Sequence, residues 1–275
     1  PPMAGSALKA MVSFFTIWPT DMTQEDMDAM DSHFHLAPVV GAMIGFIVLI
    51  ELAILSWLQM KGVFGSSMFS AAAVLATVYV GSRFLHFDGL ADFGDGSIVA
   101  GSQERHVKAL KDTLIGAGGL GVALCVTLLN FSVYTMAGIF LLILAPIVEI
   151  AVKNAQVATA AFGEPSNGMA GRQVAQTDVG SLVRSSVISL VLGIVISVIG
   201  IAVFNLIFGE NVLYAEFSIA VLAPAFAVAA SVVVGYLMAR RCDRVFGFVN
   251  GDVLGASHEI CRFAAMALII PICMW

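Results

Sequence analysis

Long apolar runs separated by short polar stretches dominate this chain. Candidate membrane spans lie at about 37–58, 67–82, 114–134, 137–157, 183–208, 216–239 and 257–275. A helix crossing a hydrocarbon core of about 30 Å needs roughly 20 apolar residues. The second run is short, and the last two are interrupted by Pro224 and Pro271. The apolar start, Ala7 to Trp18, is too short to span and predicts an interfacial amphipathic helix. Between the runs lie connections at 19–36, 83–113, 161–181 and 240–256. Thr20 to Ser32 carries Asp21, Glu25, Asp26, Asp28 and Asp31 and reads as a solvated surface helix or loop without chemistry. The 161–181 connection is rich in turn formers, which suits a mobile link or a lid. The pattern predicts an all-α, polytopic membrane protein. It forms a single transmembrane domain over 1–275, with about seven transmembrane helices and an N-terminal interfacial helix.

Composition agrees. Of 275 residues, 59% are hydrophobic and only 12% charged, with a mean hydropathy of +0.96. No cleavable signal peptide stands out. The basic residues alternate between loops. Lys9, then Arg83, Arg105, Lys108 and Lys111, then Arg172 and Arg184, then Arg240, Arg241 and Arg244 fall on one side, against Lys61 on the other. The positive-inside rule makes the first side cytoplasmic, which predicts a multi-pass cell-membrane protein with its C-terminus outside. The net charge of −6 argues against a nucleic-acid partner. Cys125 and Cys273 fall in spans and are expected to be buried there, while Cys242 and Cys261 lie near the cytoplasmic side. Their spacing indicates neither a zinc site nor a disulfide framework.

Against that background, one polar segment needs a reason: Arg83-Phe-Leu-His-Phe-Asp-Gly-Leu-Ala-Asp-Phe-Gly-Asp-Gly96. Asp88, Asp92 and Asp95 stand at i, i+4 and i+7, so a helix would align them on one face. Adjacent carboxylates repel unless a cation lies between them, and a hard ion such as Mg2+ takes oxygen ligands. A second polar cluster, Phe248-Val-Asn-Gly-Asp-Val-Leu-Gly-Ala-Ser-His-Glu-Ile260, brings Asp252, His258 and Glu259 together with Gly251 and Gly255. Both clusters fall on the cytoplasmic side, and their glycines allow close backbone approach to a ligand. Within the spans, Glu149 and Lys153 stand at i, i+4 and can pair on one helical face, while Glu51 is alone.

Together, His86-Phe-Asp-Gly-Leu-Ala-Asp-Phe-Gly-Asp-Gly96 and Asn250-Gly-Asp-Val-Leu-Gly-Ala-Ser-His-Glu-Ile260 closely resemble the cobalamin synthase family, the membrane adenosylcobinamide-GDP ribazoletransferases. Lys111-Asp112 with Gly116 and Gly119, and Pro38-Val-Val-Gly41, extend the likeness over nearly the whole chain. There are departures. Phe15-Thr16-Ile17-Trp18-Pro19 lacks the basic residue many members carry, Leu114 stands where many have Arg, and near Glu149 only Lys153 supplies positive charge. Lys111 and Lys153 are the expected substitutes.

The resemblance implies phosphoryl transfer. Adenosylcobinamide-GDP and α-ribazole, or α-ribazole 5′-phosphate, combine to give adenosylcobalamin or its 5′-phosphate, and GMP departs. The implied metal ligands, for Mg2+, are Asp88, Asp92, Asp95 and Asp252, with Glu259 as ligand or support. His86 or Asp95 is the expected proton acceptor, within about 2.6–3.2 Å of the attacking hydroxyl. Lys111, Arg105, Arg83 and Lys153 are expected at phosphates, Gly251 and Gly255 at the substrate backbone approach, and His258 beside Glu259.

Asp88-x-x-x-Asp92 alone also fits intramembrane prenyltransferases, and the Asp-Gly-x-x-Ala run is similar to that of CDP-alcohol phosphotransferases. Neither family accounts for Asn250-Gly-Asp-Val-Leu-Gly-Ala256. A transporter would concentrate its charges at midplane rather than in cytoplasmic segments.

Overall fold

The computed structural model describes residues 4–209 and 216–274; the expected end of the last span, at 275, lies outside them. The described chain is helical, with α1 (Ala4–Phe15), α2 (Gln24–Ser32), α3 (Ala37–Met60), α4 (Ser67–Gly81), α5 (Leu85–Ile98) and α6 (Gln103–Leu110) in its first part. There follow α7 (Ala117–Met136), α8 (Leu141–Phe162), α9 (Met169–Ala175), α10 (Val179–Phe208), α11 (Glu216–Val245) and α12 (Gly251–Met274). Among the described residues six helices are long and apolar enough to cross a membrane, and α4 with α5 forms a bent pair that brings the number to seven if it counts as one span.

The centre of the bundle is α8. Every residue from Leu141 to Ala160 is buried, because α3, α10, α11 and α12 pack around it. The large exposed side chains of α10, such as Val183, Val187, Val191 and Val195, recur every four residues and form a lipid-facing stripe. Cys125 is also exposed, a correction to its expected burial, since it stands on the outer face of α7.

The pair α4–α5 corrects the expected loop at 83–113. A 15-residue helix is only about 22 Å long and falls short of the hydrocarbon thickness. After it the chain turns by 90° through Arg83 and Phe84, which both hold left-handed backbone angles (φ 55° and 58°). Two such residues in succession, neither of them glycine, are sterically costly. Their surroundings hold them there. The Arg83 Nη2 donates to the carbonyls of Ser13 (2.9 Å) and Phe14 (3.2 Å) at the end of α1, and the Ile17 amide donates to the Gly81 carbonyl. One guanidinium thus satisfies orphan carbonyls of α1 and fixes the bend from which α5 departs.

The acidic segment after α1 is not solvated throughout. Thr23 and Asp26 form a capping box at the start of α2, and Asp26 also receives the Lys9 ammonium at 2.8 Å. That ammonium holds the Asp26 carboxyl well below the usual carboxylate range. Asp31 is buried and pairs with Arg172 of α9 at 3.1 Å; burial raises its pKa while Arg172 opposes the rise. The 161–181 connection is correspondingly structured. Its start is clipped to the turn before α12 by the Val249 amide on the Glu164 carbonyl (2.7 Å) and the Ser166 amide on the Val249 carbonyl (3.3 Å).

Candidate active site

The second motif also turns out helical from its start. The Asn250 side chain accepts from the Val253 amide at 3.1 Å, an N-cap that begins α12 at Gly251 rather than at 257. Here α12 crosses α5 with no space for side chains between the backbones. A Cβ on Gly89 would lie 3.0 Å from the Cα and carbonyl oxygen of Asp252, and one on Gly255 would lie 3.3 Å from the Cα of His86. This glycine crossing sets Asp88 and Asp92 of α5 beside Asp252 of α12, close enough for the three carboxylates to repel one another. Among the described residues no salt bridge neutralises any of the three. Asp252 accepts one hydrogen bond, from Asn250 (2.7 Å).

The other two expected metal ligands have partners of their own, although Asp95 is also a neighbour of Asp92 on α5. The carboxylate of Asp95 accepts from the amides of Gly116 (2.6 Å) and Gly119 (2.7 Å) at the N-terminus of α7. Negative charge is favoured at that end of a helix, so Asp95 fastens α5 to α7. Glu259 lies on α12 seven residues beyond Asp252, about 10 Å along the axis, and is buried. Its carboxylate meets Arg262 (3.3 Å) and His258 (3.0 Å). Among the described residues no three His, Cys, Asp or Glu side chains form a ready-made metal group. This is compatible with Mg2+, which is usually held by one or two carboxylates and substrate phosphates rather than by an all-protein cage. The donor set of Asp88, Asp92 and Asp252 fits such an ion. The carboxylates of Asp95 and Glu259 are engaged by backbone amides and by Arg262 and His258, respectively.

Beneath the acids lies a buried polar layer. Lys153 of α8 meets the His86 Nε2 at 2.8 Å and donates to the Gln156 carboxamide at 3.2 Å. Its ammonium rests 3.8 Å from the centre of the Phe15 ring. The His86 Nδ1 faces Gln156 at 3.4 Å, and its ring stacks on His258, with centroids 3.9 Å apart. Both nitrogens of His86 are thus occupied within the fold. Glu149 does not pair with Lys153 as its i, i+4 spacing suggested. It takes both terminal nitrogens of Arg262, whose Nη1 also donates to the Tyr134 hydroxyl at 3.2 Å. Arg262 was not among the charges recognised within spans. Its signal was present, a basic residue three positions from Glu259 inside an apolar run.

The expected cations are dispersed. Arg83 is committed to α1, as described. Arg105 is exposed on α6, its side chain folded against Gly101. Lys111 ends α6 with its ammonium 5.4 Å from the Phe248 ring, in the turn before α12.

Beside the acids opens a cavity of 230 Å³. Its lining combines Asp88, Asp252, His86 and Gln156 with residues of α1, α2 and α9. It joins Gly251 and Asp252 to Gln173 of α9, a residue not selected from the sequence.

The family described as cobalamin-5-phosphate synthase matches residues 7–270. The chain belongs to that family. An adenosylcobinamide-GDP ribazoletransferase of Methanocella arvoryzae is 31% identical, over 97% of both chains. Proteins of the same description from Methanococcoides burtonii and Methanosarcina mazei are 25% and 29% identical, each over 96% of this chain and 91% of the relative. No solved structure matches. Membership in the cobalamin-5-phosphate synthase family, over nearly the whole chain, leaves no place for the prenyltransferase, CDP-alcohol phosphotransferase or transporter alternatives.

Proposed function

We propose that this protein is an adenosylcobinamide-GDP ribazoletransferase. It joins adenosylcobinamide-GDP to α-ribazole or its 5′-phosphate and releases GMP, with its site at the cytoplasmic face of a cell membrane. The observation that carries the reading is the unneutralised group of Asp88, Asp92 and Asp252 across the Gly89–Gly255 crossing. Three carboxylates held together at a helix crossing lower stability unless they serve a cation-bearing ligand, and a nucleoside diphosphate with Mg2+ is such a ligand. Bound there, Mg2+ would neutralise charge developing on the pyrophosphate oxygens during phosphoryl transfer.

The chain's own residues hold the reactants. Asp88, Asp92 and Asp252 would hold the ion. Asp88, exposed and part of the cavity wall, would take the proton of the ribazole 3′-hydroxyl as it attacks the cobinamide-linked phosphorus and GMP leaves. His86, with both nitrogens occupied, shapes the wall beside it and keeps Lys153 in position. Lys111, at the end of α6 with its ammonium 5.4 Å from the Phe248 ring, would supply positive charge near the start of α12. The orientation rests on charge: Lys9, Arg83, Arg105, Lys108, Lys111, Arg172, Arg184, Arg240, Arg241 and Arg244 share the end that carries the acids, against Lys61 at the other.

The test is an assay of purified protein with adenosylcobinamide-GDP, α-ribazole and Mg2+, following GMP and corrinoid product. Product formation that stops with EDTA and returns with Mg2+ is expected. Absence of both GMP and corrinoid product would overturn the assignment.

A further inference from the structure

The cavity beside the acids has a composition that a pyrophosphate does not use. Phe14, Phe15 and Phe34 line it, with Met30 of α2 and Met169 of α9. Aromatic faces and polarizable thioethers converging on one space suit a flat aromatic ligand. Gln173, which is 5% exposed, also lines this space. Its Nε2 has no hydrogen-bond partner among the described residues, and a buried amide left unpaired costs free energy until something accepts from it.

We infer that this cavity is the seat of the acceptor's aromatic base: a planar, largely apolar bicycle with one unprotonated ring nitrogen, which accepts from the Gln173 carboxamide. The inference rests on the ribazoletransferase reading and adds a subsite to it. Asp88 and Asp252 line the same cavity, so a ribose carried by a base bound there would lie near the carboxylates. The Asp31–Arg172 ion pair ties α2 to α9. Asp31 adjoins Met30 and Arg172 adjoins Gln173, so one pair sets the spacing of two residues that would grip the base from α2 and α9. Selectivity follows from the same lining. A purine presents further ring nitrogens, and the Phe and Met side chains offer them no partner, whereas a benzimidazole presents carbon there.

The experiment measures equilibrium binding of α-ribazole, and of adenosine as the purine riboside, to the full chain in lipid nanodiscs, without donor or metal. Steady-state KM values for both substrates are measured alongside. Wild-type protein is expected to bind α-ribazole in preference to adenosine. Gln173→Leu removes the donor, and Ala170→Phe fills the space from α9; each is expected to weaken α-ribazole binding and raise its KM about tenfold, the scale of one buried hydrogen bond. The KM for adenosylcobinamide-GDP is expected to stay unchanged. Unchanged α-ribazole binding in both folded variants, with normal transferase turnover, would overturn the cavity assignment and leave the transferase reading standing. A rise in KM for adenosylcobinamide-GDP alone would also overturn it. Wild-type protein that binds no α-ribazole and releases no GMP would overturn both.

Discussion

Gly89 of α5 touches the backbone of Asp252 of α12: a single methyl group added at position 89 would stand 3.0 Å from both the Cα and the carbonyl oxygen of Asp252. Two acids that the sequence sets 164 positions apart (252 − 88) are neighbours because of this contact. The effect of a methyl group here should be on catalysis. Gly89→Ala is expected to push α5 from α12 and lower turnover about 10- to 100-fold, the scale of an ångström of misplacement. Gly81→Ala, where an added Cβ meets nothing within 4 Å, is the control. It should keep full activity and gain about 0.4–1 kcal/mol from reduced chain entropy. Turnover and thermal melting of both variants in detergent check the pair.

The acids of α5 and α12 should separate by role. Asp88→Asn and Asp252→Asn are expected to reduce kcat about 100-fold or more, while the melting temperature holds or rises as repulsion is relieved. Asp95→Asn should lose stability instead, by about 0.5–2 kcal/mol, because the residue caps α7. Equal loss of turnover without loss of stability in all three variants would contradict the division.

Arg262 bridges Glu149 and Glu259 inside the bundle. Arg262→Met leaves two buried carboxylates without their cation and is expected to destabilise the fold by about 3–5 kcal/mol. The triple replacement with Glu149→Gln and Glu259→Gln should recover most of that loss, since the charges are removed together. Melting curves of the single and triple variants decide the point.

Acid sensitivity has a local source at the interface. The Asp26 pKa is lowered by Lys9, so the stabilisation from this pair is fully present above the ordinary carboxylate value of about 4 and is lost as pH falls through the lowered one. Lys9→Met is therefore expected to melt earlier than wild type at neutral pH, with the difference shrinking below about pH 4. The raised Asp31 works in the opposite sense, its burial cost easing on acidification. A melting series over pH for both proteins tests the sign.

Hydropathy was enough to locate the spans, because lipid imposes a length and a polarity on every crossing. It misplaced α5, since Gly89, Gly94 and Gly96 read as loop residues yet serve as contact points in a helix. The pairing of Asp88 and Asp92 with Asp252 was legible from motif and topology. The capping role of Asp95 was not, because its partners are backbone amides of Gly116 and Gly119, which have no side-chain signature. Glu259 shares a helical face with Asp252 but stands two turns deeper, a difference that spacing modulo the helical repeat does not register. Gln173 stayed hidden because its neighbour across the cavity, Met30, comes from a segment far away in sequence.

The glycine crossing also bears on how the molecule comes into being. During synthesis α5 emerges well before α12, and until α12 inserts, Asp88 and Asp92 have nothing opposite them at Gly89. A ribosome-bound chain arrested ahead of Gly251 would hold Asp88 and Asp92 without Asp252. The crossing therefore forms late, when the Gly255 face of α12 settles on His86 and Gly89.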